Sequence, residues 1–347
     1  MFFPRFAVFV SALFFAHSCF MTESNLDNFL QWSKNFQVSF KDTEQFNQVF
    51  KKWADNHEFI SKFNSQNHSF TLGHNQFSGM DLAEYKTYVL AYDKPNNDYT
   101  SYSNVSIAQV TALPLEVNWT KAGAVTPVKD QGYCGSCWAF STTGALEGAF
   151  FNKYGKLNSF SEQQLVDCDN LKNGGKDHGC NGGLMDNAFT WITKNGGLCS
   201  EYSYPYTSGA TGAVGTCQKT CPLVIGSQIG SFVDVKPNSD TDMMTALAKQ
   251  PVSIAIDAES REFQLYASGV FTATCGTTLD HGVLATGYGT LSGLEYYSVK
   301  NSWSTTWGQG GYILLGKGID PSTKKAYNSG AGQCGMLMSG SYPVLLM

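Results

Sequence analysis

Charge is scarce in this sequence and nearly balanced. Of 347 residues, 15% are Asp, Glu, Lys or Arg, with 23 basic against 28 acidic side chains and a formal net charge of −5. No basic run is present, which argues against nucleic acid as the main partner. No apolar stretch reaches the roughly 18 residues that a membrane-spanning helix needs, so no membrane span is expected. Repeats and low-complexity tracts are also lacking, and Pro is sparse at 10 residues against 14% aromatics. A disordered or collagen-like chain is thereby excluded. Histidine is rare as well: beyond Leu113 only His178 and His281 occur. Two histidines far apart, with cysteines that pair off, suggest no metal site, and nothing calls for a cofactor. What remains is a chain of 42% hydrophobic residues, long enough for more than one domain.

The front of the chain is unlike the rest. Arg5 is the only charged residue before Glu23, and Phe6 to Ala16 is apolar apart from Ser11. Ala16-His17-Ser18 then offers small residues at the usual cleavage positions, so residues 1–18 read as a secretory signal peptide, with Cys19 an alternative boundary. The other reading, a membrane anchor, needs a longer run. Three Asn-x-Ser/Thr sequons, at Asn67, Asn104 and Asn118, fit the same route.

Secretion implies oxidised cysteines unless chemistry needs one free. There are ten, and setting aside Cys19 leaves nine, an odd number. Four disulfides and one remaining thiol are expected.

Apolar residues at Phe46, Val49, Phe50, Trp53, Ile60 and Phe63 mark an amphipathic helix over about 42–64, with Asp42 or Thr43 as N-cap. Residues 92–112 turn polar and read as a linker open to proteolysis. From Leu113 the texture changes to a glycine-punctuated half with a helix starting at Cys137. Short strands follow at Pro251–Asp257, Gly282–Tyr288, Tyr296–Lys300 and Tyr312–Leu315. Helices followed by strands indicate an α+β fold.

The segment Gln131-Gly132-Tyr133-Cys134-Gly135-Ser136-Cys137-Trp138 carries the sharpest signal. One reading of its Cys-x-x-Cys is a redox dithiol. The other is a nucleophile beside a structural disulfide partner, which the odd count favours. Cys137 sits at the first helical position, where the macrodipole and unpaired N–H groups favour a thiolate. A thiolate nucleophile needs a histidine to stabilise it and to protonate a leaving amine. His178 lies in a polar loop and reads as solvated. His281 precedes an apolar strand; alone it would be a core residue, and Cys137 as partner reverses that reading. Asn301, beside Trp303, can hold the imidazole in one tautomer, with the indole as a shield.

Taken together, these motifs resemble the papain family of cysteine proteases, nearest its cathepsin L-like branch, over essentially the whole chain. The Cys-Gly-Ser-Cys-Trp segment with distant His and Asn is a known signature of that family. The resemblance implies a two-domain α+β fold, with a helical left domain, an antiparallel β-barrel-like right domain and a cleft between, preceded by a helical propeptide. The implied divisions are 1–18 signal peptide, 19–112 inhibitory propeptide and 113–347 peptidase domain. It implies Cys137 as nucleophile, His281 as general acid/base, Asn301 as its orienting group and Gln131 as oxyanion donor. The family's ion-paired thiol titrates at roughly 3–4, which suits an acidic compartment. Cys180-Asn181-Gly182-Gly183 matches the glycine wall that pairs with extended substrate. Leu184, Met185, Ala255, Leu279, Gly282 and Ser339 match positions lining the S2 pocket, although residue type alone would make them ordinary core. All are apolar or neutral, so a hydrophobic P2 residue is expected, and Ser339 stands where some relatives carry an acid that accepts Arg. Disulfides Cys134–Cys180, Cys168–Cys217 and Cys275–Cys334 are implied, with Cys199–Cys221 suggested as a fourth and an exchange of Cys217 and Cys221 left open.

Trp53-x-x-Asn56-x-x-x-Ile60-x-x-x-Asn64 and Gly73-x-Asn75-x-Phe77 match the family's propeptide motifs; the alternative is a free-standing helical domain. Three departures stand out: Gln45 and Val49 replace the family's Glu and Arg, and Gly79 replaces an Asp linked to acid-triggered processing. Neighbouring Asp81 is a candidate substitute; otherwise the pH trigger is weakened. The function expected is a monomeric endopeptidase made as a zymogen, lysosomal, vacuolar or secreted. Its partners are peptide substrates, its own propeptide and cystatin-like inhibitors. An exopeptidase is the first alternative, though no His-His pair is present and only the loop from Asp169 to Gly179 looks long. An inactive binding homologue and a thiol–disulfide oxidoreductase are the others.

Overall fold

The computed structural model describes residues 23–89 and 112–346. The expected signal peptide, most of the 92–112 linker and the sequon at Asn104 lie outside them.

The first unit is helical. α1 (Glu23–Asn35) and α2 (Thr43–Asn64) cross through an aromatic cluster of Phe29, Trp32, Phe50 and Trp53. Asp42 caps α2 by accepting from the Gln45 N–H at 2.8 Å, satisfying a donor that the first turn leaves open. β1 (Phe70–Leu72) and α3 (Leu82–Val89) follow.

Beyond residue 112 come β2 (Val117–Asn118) and a helical half: α4 (Cys137–Tyr154), α5 (Glu162–Cys168), α6 (Met185–Asn195) and the short α7 (Ser208–Thr211). α4 is buried along most of its length because it is apolar all round. Gly144 and Gly148 let Leu284 and Pro251 approach it; a Cβ there would meet them at 2.8 and 2.5 Å. The strand half holds β3 (Ile229–Asp234), α8 (Asp240–Leu247), β4 (Val252–Ile256), α9 (Arg261–Gln264), β5 (Tyr266–Phe271), β6 (His281–Leu291), β7 (Leu294–Lys300), β8 (Tyr312–Gly316) and β9 (Gly340–Leu345).

Strand order is β1-β5-β8-β7-β6-β4-β9-β3, with β2 beside β6. Most pairs are antiparallel, but β5 runs parallel to β8. The path has two ends, so among the described residues the sheet expected to be barrel-like is an open one. One end is β1 itself: its Phe70 and Thr71 pair with Gly269 and Ser268 of β5, covering that edge. The helical half and the strand half keep separate cores, and they meet along α4 and β6.

Four disulfides join Cys134 with Cys180, Cys168 with Cys217, Cys199 with Cys221, and Cys275 with Cys334. Among the described residues Cys137 is the one free cysteine, and it is buried.

Candidate active site

α4 presents Cys137 at its N-terminus with an unusual cap. The Ser136 side chain makes no capping bond to the helix; its Oγ pairs with the Tyr206 hydroxyl at 2.7 Å. The backbone N–H groups of Cys137, Trp138 and Gly282 lie around the Cys137 sulfur instead and favour its charged form. Three such donors favour a thiolate. Burial opposes them and pushes the thiol up to about 12.

The Gly282 contact places the start of β6 against that sulfur, and His281 is the residue before it. Its Nε2 lies 2.8 Å from Asn301 Oδ1. That oxygen also accepts from the Ser302 backbone N–H at 2.8 Å, which fixes the orientation of the amide. An amide oxygen only accepts, so Nε2 carries the proton and Nδ1 of the neutral ring is bare. Nδ1 is indeed buried without a hydrogen-bond partner. Trp303 stacks on the imidazole at 4.6 Å between centroids, shielding the Asn301 bond from water. Burial pushes His281 down to about 4, against the opposing effect of Asn301.

Gln131 completes the group. Ser302 Oγ donates to its Oε1 at 2.6 Å, and its Nε2 donates to the Cys134 carbonyl at 3.2 Å. One further N–H of that amide remains for another acceptor. Ser302 thus touches both Gln131 and Asn301, a linking role that the sequence reading missed. A buried charge cluster was missed too. Lys129 pairs with Glu147 at 3.2 Å and Glu162 at 2.5 Å, while Lys300 donates to Thr126, itself bonded to Glu147. It ties the end of β7, just before Asn301, to α4. Its five members are spread over four segments, so no local pattern marks them.

Met185, Ala255 and Leu279 share one apolar cluster with Cys137 and Trp138, and Leu184 packs against it. Gly282 adjoins Met185: a Cβ there would lie 3.2 Å from its sulfur. Ser339 is half-buried, and its carbonyl accepts from the Ala255 N–H at 3.0 Å. Met338, beside it, also joins the cluster. Gly182, with φ at 110°, and Gly183 run alongside. His178 is exposed on its loop.

The family profile described as "Papain family cysteine protease" matches residues 113–344, and that of the cathepsin propeptide inhibitor domain matches 29–85. The chain belongs to the papain family of cysteine proteases. It is made with a propeptide, as a zymogen. It is 46% identical over 298 residues to the probable cysteine protease RD21B of Arabidopsis thaliana, covering 86% of this chain and 61% of that relative's length. It is 41% identical over 307 residues to the KDEL-tailed cysteine endopeptidase CEP2 of the same plant, covering 86% of this chain and 80% of that one. Among solved structures, a recombinant stem bromelain precursor superposes with a TM-score of 0.81 at 36% identity, covering 94% of this chain and all of the other.

The papain-family propeptide docks on the cleft. Gln76 Nε2 donates to the Trp303 carbonyl at 2.6 Å, and Phe77 meets the Trp303 ring edge-on at 5.2 Å. Tyr85 donates to the Ala258 carbonyl, and Gln264 donates to the carbonyls of Phe77 and Met80. At Gly79 there is no room for the family's carboxylate, because a Cβ would lie 2.7 Å from Trp32 and 2.9 Å from Val49. Asp81 does not replace it: it is exposed, caps α3 and faces Lys52 at 3.6 Å.

Proposed function

We propose that this papain-family protease is an endopeptidase in which Cys137 is the nucleophile, His281 the general acid/base, Asn301 its orienting group and Gln131 an oxyanion donor. The observation that carries the reading is the bare His281 Nδ1, held by Asn301 and Trp303 next to the residue whose N–H meets the free sulfur. Proton transfer from Sγ to Nδ1 gives the thiolate–imidazolium pair. Attack on a peptide carbonyl places negative charge on its oxygen, which the Cys137 N–H and the Gln131 amide stabilise. The imidazolium protonates the leaving amine, and water then hydrolyses the thioester by the reverse sequence.

Peptide substrates pair along Gly182–Gly183, and P2 enters the apolar cluster of Leu184, Met185, Ala255, Leu279 and Gly282, with Ser339 at its end and Trp303 on the leaving-group side. No carboxylate is placed at Ser339, so Leu or Phe at P2 should be cleaved better than Arg. Residues 1–18 act as signal peptide, 19–112 as propeptide and 113–347 as catalytic unit. The enzyme works as a monomer in an acidic vacuolar or lysosomal compartment or after secretion, open to cystatin-like inhibitors. Similarity to a KDEL-tailed cysteine endopeptidase supports both the internal cleavage and the secretory route.

The test is Cys137→Ala: it should fold as a proform that neither processes itself nor cleaves peptides. Appreciable cleavage by that variant would refute the assignment, and a P2-varied panel favouring Arg over Leu would refute the specificity.

A further inference from the structure

The loop between Cys168 and Cys180 closes over two carboxyl groups that no cation pairs with directly. Asp169 and Asp177 are 0% and 1% exposed. Asp177 Oδ1 accepts from the Leu184 backbone N–H at 2.9 Å and from Asn187 Nδ2 at 3.0 Å, and Asp169 Oδ1 accepts from the Lys176 N–H at 3.2 Å. Each residue keeps a buried Oδ2 without a hydrogen-bond partner, and the two carboxyl groups lie close enough to act on one another. A proton held between two buried carboxyl groups would relieve the repulsion between them. Burial, then the charge of Asp169, push Asp177 well above the usual carboxylate range. Of the charged groups around them, Lys194 on α6 acts on Asp169 from a distance, Lys176 and His178 are exposed, and Asp186 bonds Ser341 and adds negative charge.

This pair lies directly behind the glycine wall. A Cβ on Gly183 would sit 2.8 Å from the Asp177 carboxyl carbon and 2.6 Å from the Trp138 ring, so the backbone there is clamped between the carboxyl group and the residue following Cys137. The Trp138 indole N–H holds the Gly179 carbonyl at 3.1 Å, and the His178 N–H holds that of Gly182 at 2.9 Å. We propose that Asp169 and Asp177 share one proton and act as a positioning pair that sets the Gly182–Gly183 backbone relative to Cys137. The proposal rests on reading that backbone as the edge along which substrate pairs.

Asp177→Asn and Asp177→Ala distinguish the roles. Asn donates an N–H to Asp169 and keeps an oxygen for Leu184 without titrating. Its KM for a Leu-P2 peptide should stay near that of the parent, and the rise of KM at alkaline pH, where the parent pair loses its proton, should vanish. Ala leaves the Leu184 N–H and Asp169 unpaired, and KM should rise about tenfold with kcat little changed. Infrared spectra of the full-length chain should show a protonated-carboxyl band lost in Asp177→Asn, a readout independent of activity and usable even where Ala does not fold. Absence of that band in the parent, an Asn variant as impaired as Ala, or an Ala variant with unchanged KM would overturn the pair. A parent enzyme that cleaves nothing and leaves Cys137 unlabelled by a covalent thiol inhibitor would instead overturn the protease reading, with the infrared band unaffected.

Independently, the propeptide holds two histidines side by side on one indole. His57 of α2 and His74 stack on Trp53 at 4.8 and 4.6 Å, with their own planes only 5° apart. His57 Nδ1 and His74 Nε2 are 2.9 Å apart, a contact that holds a single proton, and His74 Nδ1 is buried without a partner. Burial, then the charge of His57, push His74 down to about 4. Among the described residues His57 is the one charged group shown to act on it: Lys52 pairs with Asp81 and Glu84, and Arg261 bonds Asn56. The residues following His74 make the docking contacts, Asn75 to the Gln264 carbonyl at 2.8 Å and Gln76 to Trp303. We infer that the His57–His74 pair is the proton-sensitive latch of the propeptide, in place of the carboxylate that Gly79 excludes. This too rests on the propeptide reading. A histidine titrates near 6.5 when free, so the packing of His74 against Trp53 and His57, which places the docking residues that follow, is at full strength above that pH and weakens by up to about tenfold per unit as pH falls toward 4.

His74→Phe keeps a ring on Trp53 but takes no proton. Self-processing of the full-length chain at pH 5 should slow more than about tenfold, while the processed enzyme, which lacks the propeptide, cleaves peptides as the parent does. His74→Gln provides a second, smaller neutral side chain should Phe disturb folding. Processing at the parental rate at pH 5 in a folded neutral variant would overturn the latch; a processed enzyme without activity would overturn the catalytic reading instead.

Discussion

Ser302 serves two masters with two different atoms. Its N–H orients the Asn301 amide, and its hydroxyl orients Gln131. Removing the hydroxyl alone leaves the Asn301–His281 bond in place and frees the Gln131 amide, proposed above as the oxyanion donor, to rotate. Ser302→Ala should therefore lower kcat about tenfold with KM nearly constant, less than the hundredfold or more expected when a whole oxyanion donor is deleted, as in Gln131→Ala. Steady-state kinetics on one peptide for both variants checks the order; equal losses would show that Ser302 acts elsewhere. The group proposed as catalytic, Cys137, His281, Asn301 and Gln131, could be nominated from the sequence because their residue types and motif neighbours are distinctive. The Ser302 hydroxyl could not, since its role depends on where a glutamine 171 positions away comes to rest.

Among the elements, those with strong local signals were legible. The helix expected over 42–64 spans Thr43–Asn64 with Asp42 as its cap, and the four expected strands appear as β4, β6, β7 and β8. The short β1 and β2 carry too few residues for a pattern; they form because β5 and β6 offer partners distant in sequence. The Asp169–Gly179 loop looked long from spacing, but only the fold reveals that its extra length wraps two carboxyl groups. Gly79 shows the same dependence on context, since its absent side chain makes way for Trp32 of α1 and Val49 of α2. Restoring the family's residue should therefore harm this propeptide. Gly79→Asp forces a Cβ into space held by an indole and a valine, and overpacking of that kind costs about 1–3 kcal/mol. Urea unfolding of the full-length chain in a Cys137→Ala background should show the first unit lost earlier. Unchanged unfolding would mean that α1 moves aside without cost.

At the scale of the whole molecule, Cys137 and Trp303 belong to two apolar cores, and the consequence of that burial is electrostatic. In the proform Phe77 and Tyr85 close on Trp303, which itself roofs His281. Burial pushes the Cys137 thiol up to about 12 and the His281 imidazole down to about 4, which favours the neutral form of both partners between those values. On the roles proposed for Cys137 and His281, latency has two layers, a covered cleft and a dyad that burial keeps neutral. Removal of the propeptide admits water, and an imidazolium beside the sulfur becomes the larger influence, which brings the thiol far below its ordinary value. A small haloacetamide, able to enter where a peptide cannot, separates the layers. At pH 6 it should alkylate Cys137 of the processed enzyme at least about a hundredfold faster than Cys137 of the proform, with the proform rate still rising with pH above 9. Equal rates at pH 6 would show that the propeptide only obstructs substrate and leaves the ionisation of the dyad unchanged.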